Sequence, residues 1–265
     1  MIKSVLRTFL RRKSSAAQFE RLEIPISSCV HYSGFRYGVS QFNPLEYSAR
    51  DHYKGIPILN VRRQFVNFLQ YYRPSHLGEA LGIDLLQNCP LWAYPWRNLS
   101  ESDRKSNFGW LDRPEDIEDI ITHFSNAGIL GKLIDQEFFW QEQALMAIME
   151  HGYRPEKYSY AYTLELRRND QCSAHILLDG NHRVSALSAM GHKSLIVIRD
   201  KKSVIFESRM HEWPEVSSGM MSIEDAHNIF HAYFQGNHCW RTTRKAANII
   251  ASDAWKNLYL NNDSE

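Results

Sequence analysis

Residues 174–198 constrain the fold more than any other part of the chain. Ala174–Leu178 reads AHILL and Leu195–Ile198 reads LIVI, and short apolar runs of this kind are typical of buried strands. The intervening segment Val184–Met190 is predicted to be a helix. A strand, a turn, a helix and a second strand in so short a span predict a sheet that is covered by a helix.

Two elements precede this segment. Apolar residues between Glu137 and Glu150 predict a helix that stops at Gly152, and the alternating aromatic run Tyr158–Leu166 predicts a strand. Residues 137–198 therefore read as helix, strand, strand, helix, strand. We predict the α+β class, with a small mixed sheet and additional helical and aromatic segments at both ends.

The remaining segments give weaker predictions. Arg62–Tyr72 has helical spacing and ends before Arg73–Pro74, because a residue that precedes proline avoids the helical conformation. Residues 14–25 read as a linker, and Cys89–Trp96 as an edge strand or an extended packing segment. A further helix is predicted to begin at Asp112, with Pro114 in its first turn.

Composition excludes several classes of protein. Hydrophobic residues make up 43% of the chain, which is enough for a packed core, and no window reaches the roughly 18 apolar residues of a spanning helix. Lys and Arg total 31 against 30 Asp and Glu, which argues against nucleic acid as a partner. The four cysteines form no CxxC pair, so a zinc knuckle is not expected.

The N-terminal segment has the pattern of a short basic amphipathic helix. Ile2, Val5 and Phe9 lie on one face of a predicted helix, and residues 2–13 contain five cations and no acid. Such a helix can lie on an anionic membrane surface, dock on the protein's own core, or fray. We expect a cytoplasmic protein, with peripheral contact at the inner face of the membrane as one alternative for this helix. We expect residues 1–20 to form the helix and a linker, and residues 21–265 to form one globular domain with its core at about 111–200.

The turn between the second strand and its helix concentrates polar chemistry. It reads Asp179, Gly180, Asn181, His182, Arg183. Gly180 permits a tight turn, and the start of the following helix presents backbone N–H groups and a positive dipole that suit phosphate. His182 and Arg183 add donors, and Asp179 can bind a metal, accept a hydroxyl proton or cap the helix. The alternative is a helix start with surface His and Arg side chains.

The string ILLDGNHRVSALSAMGHKSLIVI resembles the core motif of the ParB/sulfiredoxin-like superfamily, in which a strand leads into a turn ending in HR, then a helix, a glycine and a closing strand. The upstream MEHGYRP segment is also similar. The likeness covers roughly residues 135–200, and the closest motif form is the DG-x-HR turn of a free-serine kinase. Asn181 replaces the catalytic cysteine of sulfiredoxin, so that chemistry is not expected.

This resemblance implies a nucleotide (ATP, ADP or CTP) and Mg²⁺, with Asp179 as the metal ligand and Gly180–Arg183 and Ser185 around the phosphates. It also implies a catalytic base near the start of the upstream helix, for which Asp135 and Glu137 are candidates, while Glu137 can equally be a dipole complement. The activity expected is phosphoryl transfer to a hydroxyl of a small metabolite or a sugar or glycan precursor; the C-terminal text is similar to that of DGNHR proteins of polysaccharide biosynthesis. The alternative is a nucleotide-binding regulatory or scaffold protein without transfer.

A second group of candidate ligands lies near the C-terminus. His227 and His231 are spaced i, i+4 on a predicted helix that begins after Ser222, with Asp225 completing a near capping box. Such a histidine pair can bind zinc. The apolar residues around it favour a packed amphipathic helix instead.

Overall fold

The computed structural model describes residues 18–38, 43–71, 74, 76–87, 89–91, 93–97 and 132–236. The basic segment 2–13 and the helix predicted from Asp112 lie outside these residues. Among the helices described, none combines the length and the apolar character required to cross a membrane.

One mixed sheet organises the fold. Its strand order is β1-β5-β3-β4-β2. β1 runs antiparallel to β5, β3 antiparallel to β4, and the β3–β5 and β2–β4 pairs are parallel. The strands are β1 Phe19–Pro25, β2 Cys29–His31, β3 Ala161–Arg167, β4 Ser173–Asp179 and β5 Ser194–Phe206.

Helices surround this sheet, which confirms the predicted α+β class. The α-helices in chain order are α1 Pro44–Tyr53, α2 Ile58–Tyr71, α3 Leu77–Leu81, α4 Lys132–His151, α5 Pro155–Tyr158, α6 Asn181–Ala189, α7 Pro214–Ser217 and α8 Ile223–Gln235. The short 3₁₀ segments Ile26–Ser28 and Glu207–Glu212 follow β1 and β5.

Each face of the sheet carries its own core. On one face, α6 packs its Val184 and Leu187 against Leu177 of β4 and Val197 of β5. On the other face, α8 and the aromatic segment 93–96 pack against β3 and β4. The sheet is thus covered on both sides, and α6 begins at the end of β4, where the predicted site lies.

The linker interpretation is wrong for residues 19–25. They form β1, an edge strand whose Ile24 is buried while Arg21 and Glu23 are exposed. Leu22 and Ile24 are the two apolar residues that alternate with charged neighbours here, which is weak sequence evidence for a strand. Pairing with β5 along its whole length makes this segment a strand.

Three element boundaries also differ from prediction. Tyr158–Tyr160 is not part of β3, because Pro155 starts the short helix α5 and Ser159 then adopts φ 73° before the strand begins at Ala161. The helix α6 begins at Asn181, three residues earlier than predicted. The predicted helix before Gly152 is confirmed and starts at Lys132.

The aromatic segment after Cys89 packs in the core, as predicted, but its described residues form no strand. Tyr94 and Trp96 are 7% exposed, and the Trp96 ring makes edge contacts with Trp213 and Tyr233. Turns replace the expected extended backbone: the Ala93 N–H donates to the Pro90 oxygen and the Arg97 N–H to the Tyr94 oxygen.

Candidate functional site

The predicted turn connects β4 directly to α6. Asp179 is the last residue of β4, Gly180 has φ 93° and ψ 14°, and Asn181 is the first residue of the helix. A Cβ placed on Gly180 would lie 2.7 Å from the Cβ of Ala161. Gly180 is therefore required both by its left-handed conformation and by its close approach to β3.

The start of α6 lacks a side-chain cap. Gly180 occupies the N-cap position and has no side chain with which to accept a hydrogen bond from the first amides of the helix. The first turn of a helix contains N–H groups without intrahelical partners, and its dipole is positive at this end. This part of the turn consequently retains the ability to bind an anion.

The largely buried side chain of Arg183 stabilises the turn through hydrogen bonds and an ion pair. Its Nη1 donates to the backbone oxygens of Tyr158 and Ser159 at 3.0 and 2.6 Å, and to the Ser159 Oγ at 2.6 Å. Its Nη2 lies 3.1 Å from the Asp179 Oδ2, and the side chain is only 15% exposed. Arg183 thereby ties the strained Ser159 turn to the end of β4.

Asp179 is the more accessible member of that ion pair. Its side chain is 35% exposed, and one of its oxygens, Oδ2, faces Arg183. Mg²⁺ commonly binds one or two carboxylates together with substrate phosphates and water. A single, partly exposed carboxylate beside a helix start fits that donor set, in competition with Arg183.

Asn181 is held by two residues outside the motif, Tyr37 and Ser185. The hydroxyl of the buried Tyr37 donates to the Asn181 Oδ1 at 3.0 Å, and the Ser185 Oγ donates to the Asn181 backbone oxygen at 2.8 Å. Burial raises the pKa of the Tyr37 phenol, so it stays protonated and remains a donor. Ser185 is fully buried, which makes it a supporting residue rather than a surface contact.

A buried carboxylate on α1 supports the same helix. The Glu46 Oε2 accepts a hydrogen bond from the Gly38 N–H at 2.8 Å, and its Oε1 pairs with Arg50 at 2.5 Å. Burial raises the pKa of Glu46, while hydrogen bonds from Gly38 and Ser188 oppose the rise. Since Ser188 lies on α6, Glu46 links α1 to the helix that carries the motif.

His182 lies near a second histidine on the sheet. Burial, and then the charge of His182, lower the pKa of His31 to about 3, so His31 is neutral at physiological pH. The Nδ1 of His31 accepts a hydrogen bond from the Ser33 N–H at 3.1 Å. His182 itself is half-buried, as are Asn181 and Arg183. None of the three therefore points fully into bulk solvent.

The structure places the two candidate bases on α4. Asp135 and Glu137 lie in the first turns of this helix, and their side chains are outside the described residues. α4 packs against α6. The Gln141 Nε2 of α4 also donates to the Leu45 backbone oxygen of α1 at 3.3 Å.

Several residues around the turn carry no signal in the sequence. Tyr37 and Glu46 are distant from the motif along the chain, and Ser159 belongs to a segment that reads as a strand. Thr163 of β3 is paired with Leu177 and so faces α6, and its buried Oγ1 has no hydrogen-bond partner among the described residues. These roles depend on the tertiary structure.

Comparison with known proteins identified no relative of this chain. No family model matches the chain, and no curated protein or solved structure is detectably similar to it.

Proposed function

We propose that this chain is a nucleotide-dependent phosphotransferase with a ParB/sulfiredoxin-like fold. One observation carries the proposal: α6 begins at a glycine N-cap without a side-chain cap, at the end of β4, in the middle of the DGNHR motif. The nucleotide phosphates bind at the amides of Asn181 and His182, and the acceptor is a hydroxyl of a small metabolite or a sugar or glycan precursor.

Each residue of the turn has a role in this proposal. The glycine brings the backbone close to β3. Because it has no side chain, no N-cap group competes with phosphate oxygens for the first amides of α6. His182 contributes a donor beside the phosphates. Mg²⁺ binds at Asp179 and, when bound, offsets the negative charge of the phosphates.

The reaction needs a base for the acceptor. The hydroxyl oxygen forms a bond to the terminal phosphorus, the bond between that phosphorus and the nucleotide breaks, and the hydroxyl proton passes to a carboxylate. Glu137 or Asp135 takes this proton. The support for this assignment is that α4, the helix that carries both acids, packs against α6; the shared core includes Leu145 and Ile148 of α4.

A nucleotide-dependent switch without transfer is the second candidate, and the bonds of Arg183 favour it. Both terminal nitrogens of its guanidinium are engaged by Asp179 and the Tyr158–Ser159 segment. A phosphate that recruits Arg183 must release Ser159, whose φ of 73° is strained for a residue other than glycine. Ligand binding would then change the backbone between α5 and β3.

We also propose that residues 2–13 contact an anionic membrane surface. The support is the sequence pattern alone, five cations and an apolar helical face. Co-sedimentation with phosphatidylserine vesicles should retain the full chain and lose the variant that lacks residues 2–13. Equal sedimentation of the two proteins would refute this contact.

Labelled nucleotide distinguishes the two candidate functions. The purified chain is incubated with Mg²⁺, a nucleotide labelled in its terminal phosphate, and a panel of hydroxyl acceptors. A phosphotransferase moves label to an acceptor, and Glu137→Gln or Asp135→Asn abolishes this transfer while nucleotide binding persists. Binding without transfer to any acceptor in the panel favours the switch, and absence of binding refutes both.

A further inference from the structure

Three metal-ligating side chains meet on the face of the molecule formed by α8 and the 3₁₀ segment after β5. They are Glu207, His227 and His231, and one donor atom of each lies within 4.8 Å of the other two. In the part of the chain that the structure describes, no other group of three His, Cys, Asp or Glu side chains meets this criterion. The group is separate from the motif at the end of β4.

The local structure holds the two imidazoles together. Ser222 is the N-cap of α8, and its Oγ accepts a hydrogen bond from the Asp225 N–H at 3.0 Å, as the near capping box predicts. Residues four apart lie on the same face of a helix. The ring centroids of His227 and His231 are accordingly 4.2 Å apart.

Glu207 completes the group from another element. The Nε2 of His231 lies 2.7 Å from the Glu207 Oε1, and the other carboxylate oxygen accepts a hydrogen bond from the Asn169 N–H at 2.9 Å. These two contacts orient the carboxylate toward the histidines.

The positions of the rings allow an ion to enter from solution. His227 is exposed, His231 has a side chain 24% exposed, and Glu207 one 14% exposed. The His231 ring also contacts the rings of Phe230 and Phe234, which restricts its orientation. One open ligand and two partly buried ones give a preformed site with access on one side.

We propose that Glu207, His227 and His231 bind a zinc ion. Two imidazole nitrogens and a carboxylate oxygen are a donor set that zinc takes in proteins, with a tetrahedral arrangement that leaves a fourth position for water. Donors about 2 Å from a tetrahedral zinc are about 3.3 Å apart, so small side-chain rotations bring these atoms into place. The bound ion links the end of β5 to α8.

Zinc affinity of the whole chain tests the site. The metal-free protein competes for Zn²⁺ with a chromogenic chelator, beside the variants His227→Ala, His231→Ala and Glu207→Gln. We expect one tightly bound zinc in the wild type and a loss of affinity of at least about tenfold in each variant. Because His227 is exposed, its replacement leaves the packing of α8 intact and separates loss of a ligand from loss of the fold.

The control is His211→Ala. His211 is an exposed histidine beside Glu212 on the same 3₁₀ segment, and within the described part of the chain it belongs to no group of three metal-ligating side chains. This variant should bind zinc as the wild type does, and zinc should raise the melting temperature of both but not that of His227→Ala. No zinc binding by the wild type, or equal affinity in the ligand variants, would overturn the proposal.

Discussion

Gly180 at the end of β4 is in direct contact with Ala161, the first residue of β3. A Cβ on Gly180 would lie 2.7 Å from the Ala161 Cβ and 2.9 Å from its Cα. The turn that carries the motif is thus pressed against the neighbouring strand. The start of α6 owes its position to the absence of a side chain at Gly180.

Gly180→Ala should be strongly destabilising. A left-handed conformation alone costs a residue with a Cβ about 1–2 kcal/mol, and the contact with Ala161 adds roughly 1–3 kcal/mol. Gly191 provides the control, since its φ is also positive, at 82°, but a Cβ there meets nothing within 4 Å. Urea unfolding should show a larger decrease in the free energy of unfolding for Gly180→Ala than for Gly191→Ala.

The double variant Ala161→Gly, Gly180→Ala isolates the contact itself. Removing the Ala161 methyl group relieves the overlap, so the two substitutions together should cost less than the sum of their separate costs. Strictly additive losses would show that backbone strain, and not contact with β3, limits Gly180.

Stability should fall in mild acid because of two buried histidines. Burial lowers the pKa of His31 to about 3 and that of His175 to about 4, each from 6.5. Between about pH 6.5 and pH 4 the unfolded chain binds more protons than the native chain, so the free energy of unfolding decreases as pH falls. Each histidine contributes about 2 kcal/mol of this loss between about pH 7 and pH 5.

Urea unfolding of His31→Asn and His175→Asn at both pH values checks this sign. Each variant should lose less stability on acidification than the wild type does. His192→Asn, which alters an exposed histidine, should retain the dependence of the wild type. A dependence unchanged by His31→Asn and His175→Asn would assign the acid sensitivity to other groups.

Arg199 should matter far more for stability than the arginine of an exposed ion pair. Arg199 of β5 pairs with Glu165 of β3 and Glu20 of β1, and Glu165 is 2% exposed. Arg199→Met leaves that buried carboxylate with Arg167 and Ser173 as its remaining partners and should cost about 2–3 kcal/mol. Arg168→Met is the matched control: Arg168 pairs with the exposed Asp170, so its loss should cost about 1 kcal/mol or less.

Nucleotide binding should be sensitive to a single charge at the start of α6. Asn181→Asp keeps the oxygen that accepts the Tyr37 hydrogen bond, and a carboxylate at this end of a helix favours folding. It should nevertheless reduce the affinity for Mg–nucleotide at least about tenfold by repelling phosphate. Calorimetric titration compares it with Asn60→Asp, the same charge change on the exposed face of α2.

Much of the sheet could be predicted from local sequence pattern, because β4 and the start of β5 are short apolar runs, which are typical of buried strands. The edge strand β1 could not, since Leu22 and Ile24 become strand residues only through pairing with β5. In the candidate site, the residues of the turn are contiguous and were therefore identified together. Their supports, such as Tyr37 beside Asn181 and Ser159 beside Arg183, are brought close only by the folded chain.

The proposed zinc site was likewise predictable from the sequence only in part. The i, i+4 spacing of His227 and His231 can be recognised in the sequence. Glu207 lies twenty or more residues earlier and contacts His231 only because of how the chain folds after β5. The apolar neighbours favoured a packed helix, and the packing is present: Ile229 and Phe230 are fully buried. The histidines lie on the other side of that helix.

The most direct test of phosphate binding at the turn is an amide NMR titration of the isotopically labelled chain with Mg–ATP, Mg–ADP and Mg–CTP. If phosphate binds at the start of α6, the N–H signals of Asn181, His182 and Arg183 shift with at least one nucleotide, saturably, and these shifts are lost in Asn181→Asp but kept in Asn60→Asp. Unchanged signals from these three amides at saturating concentrations of all three nucleotides would contradict the proposed site.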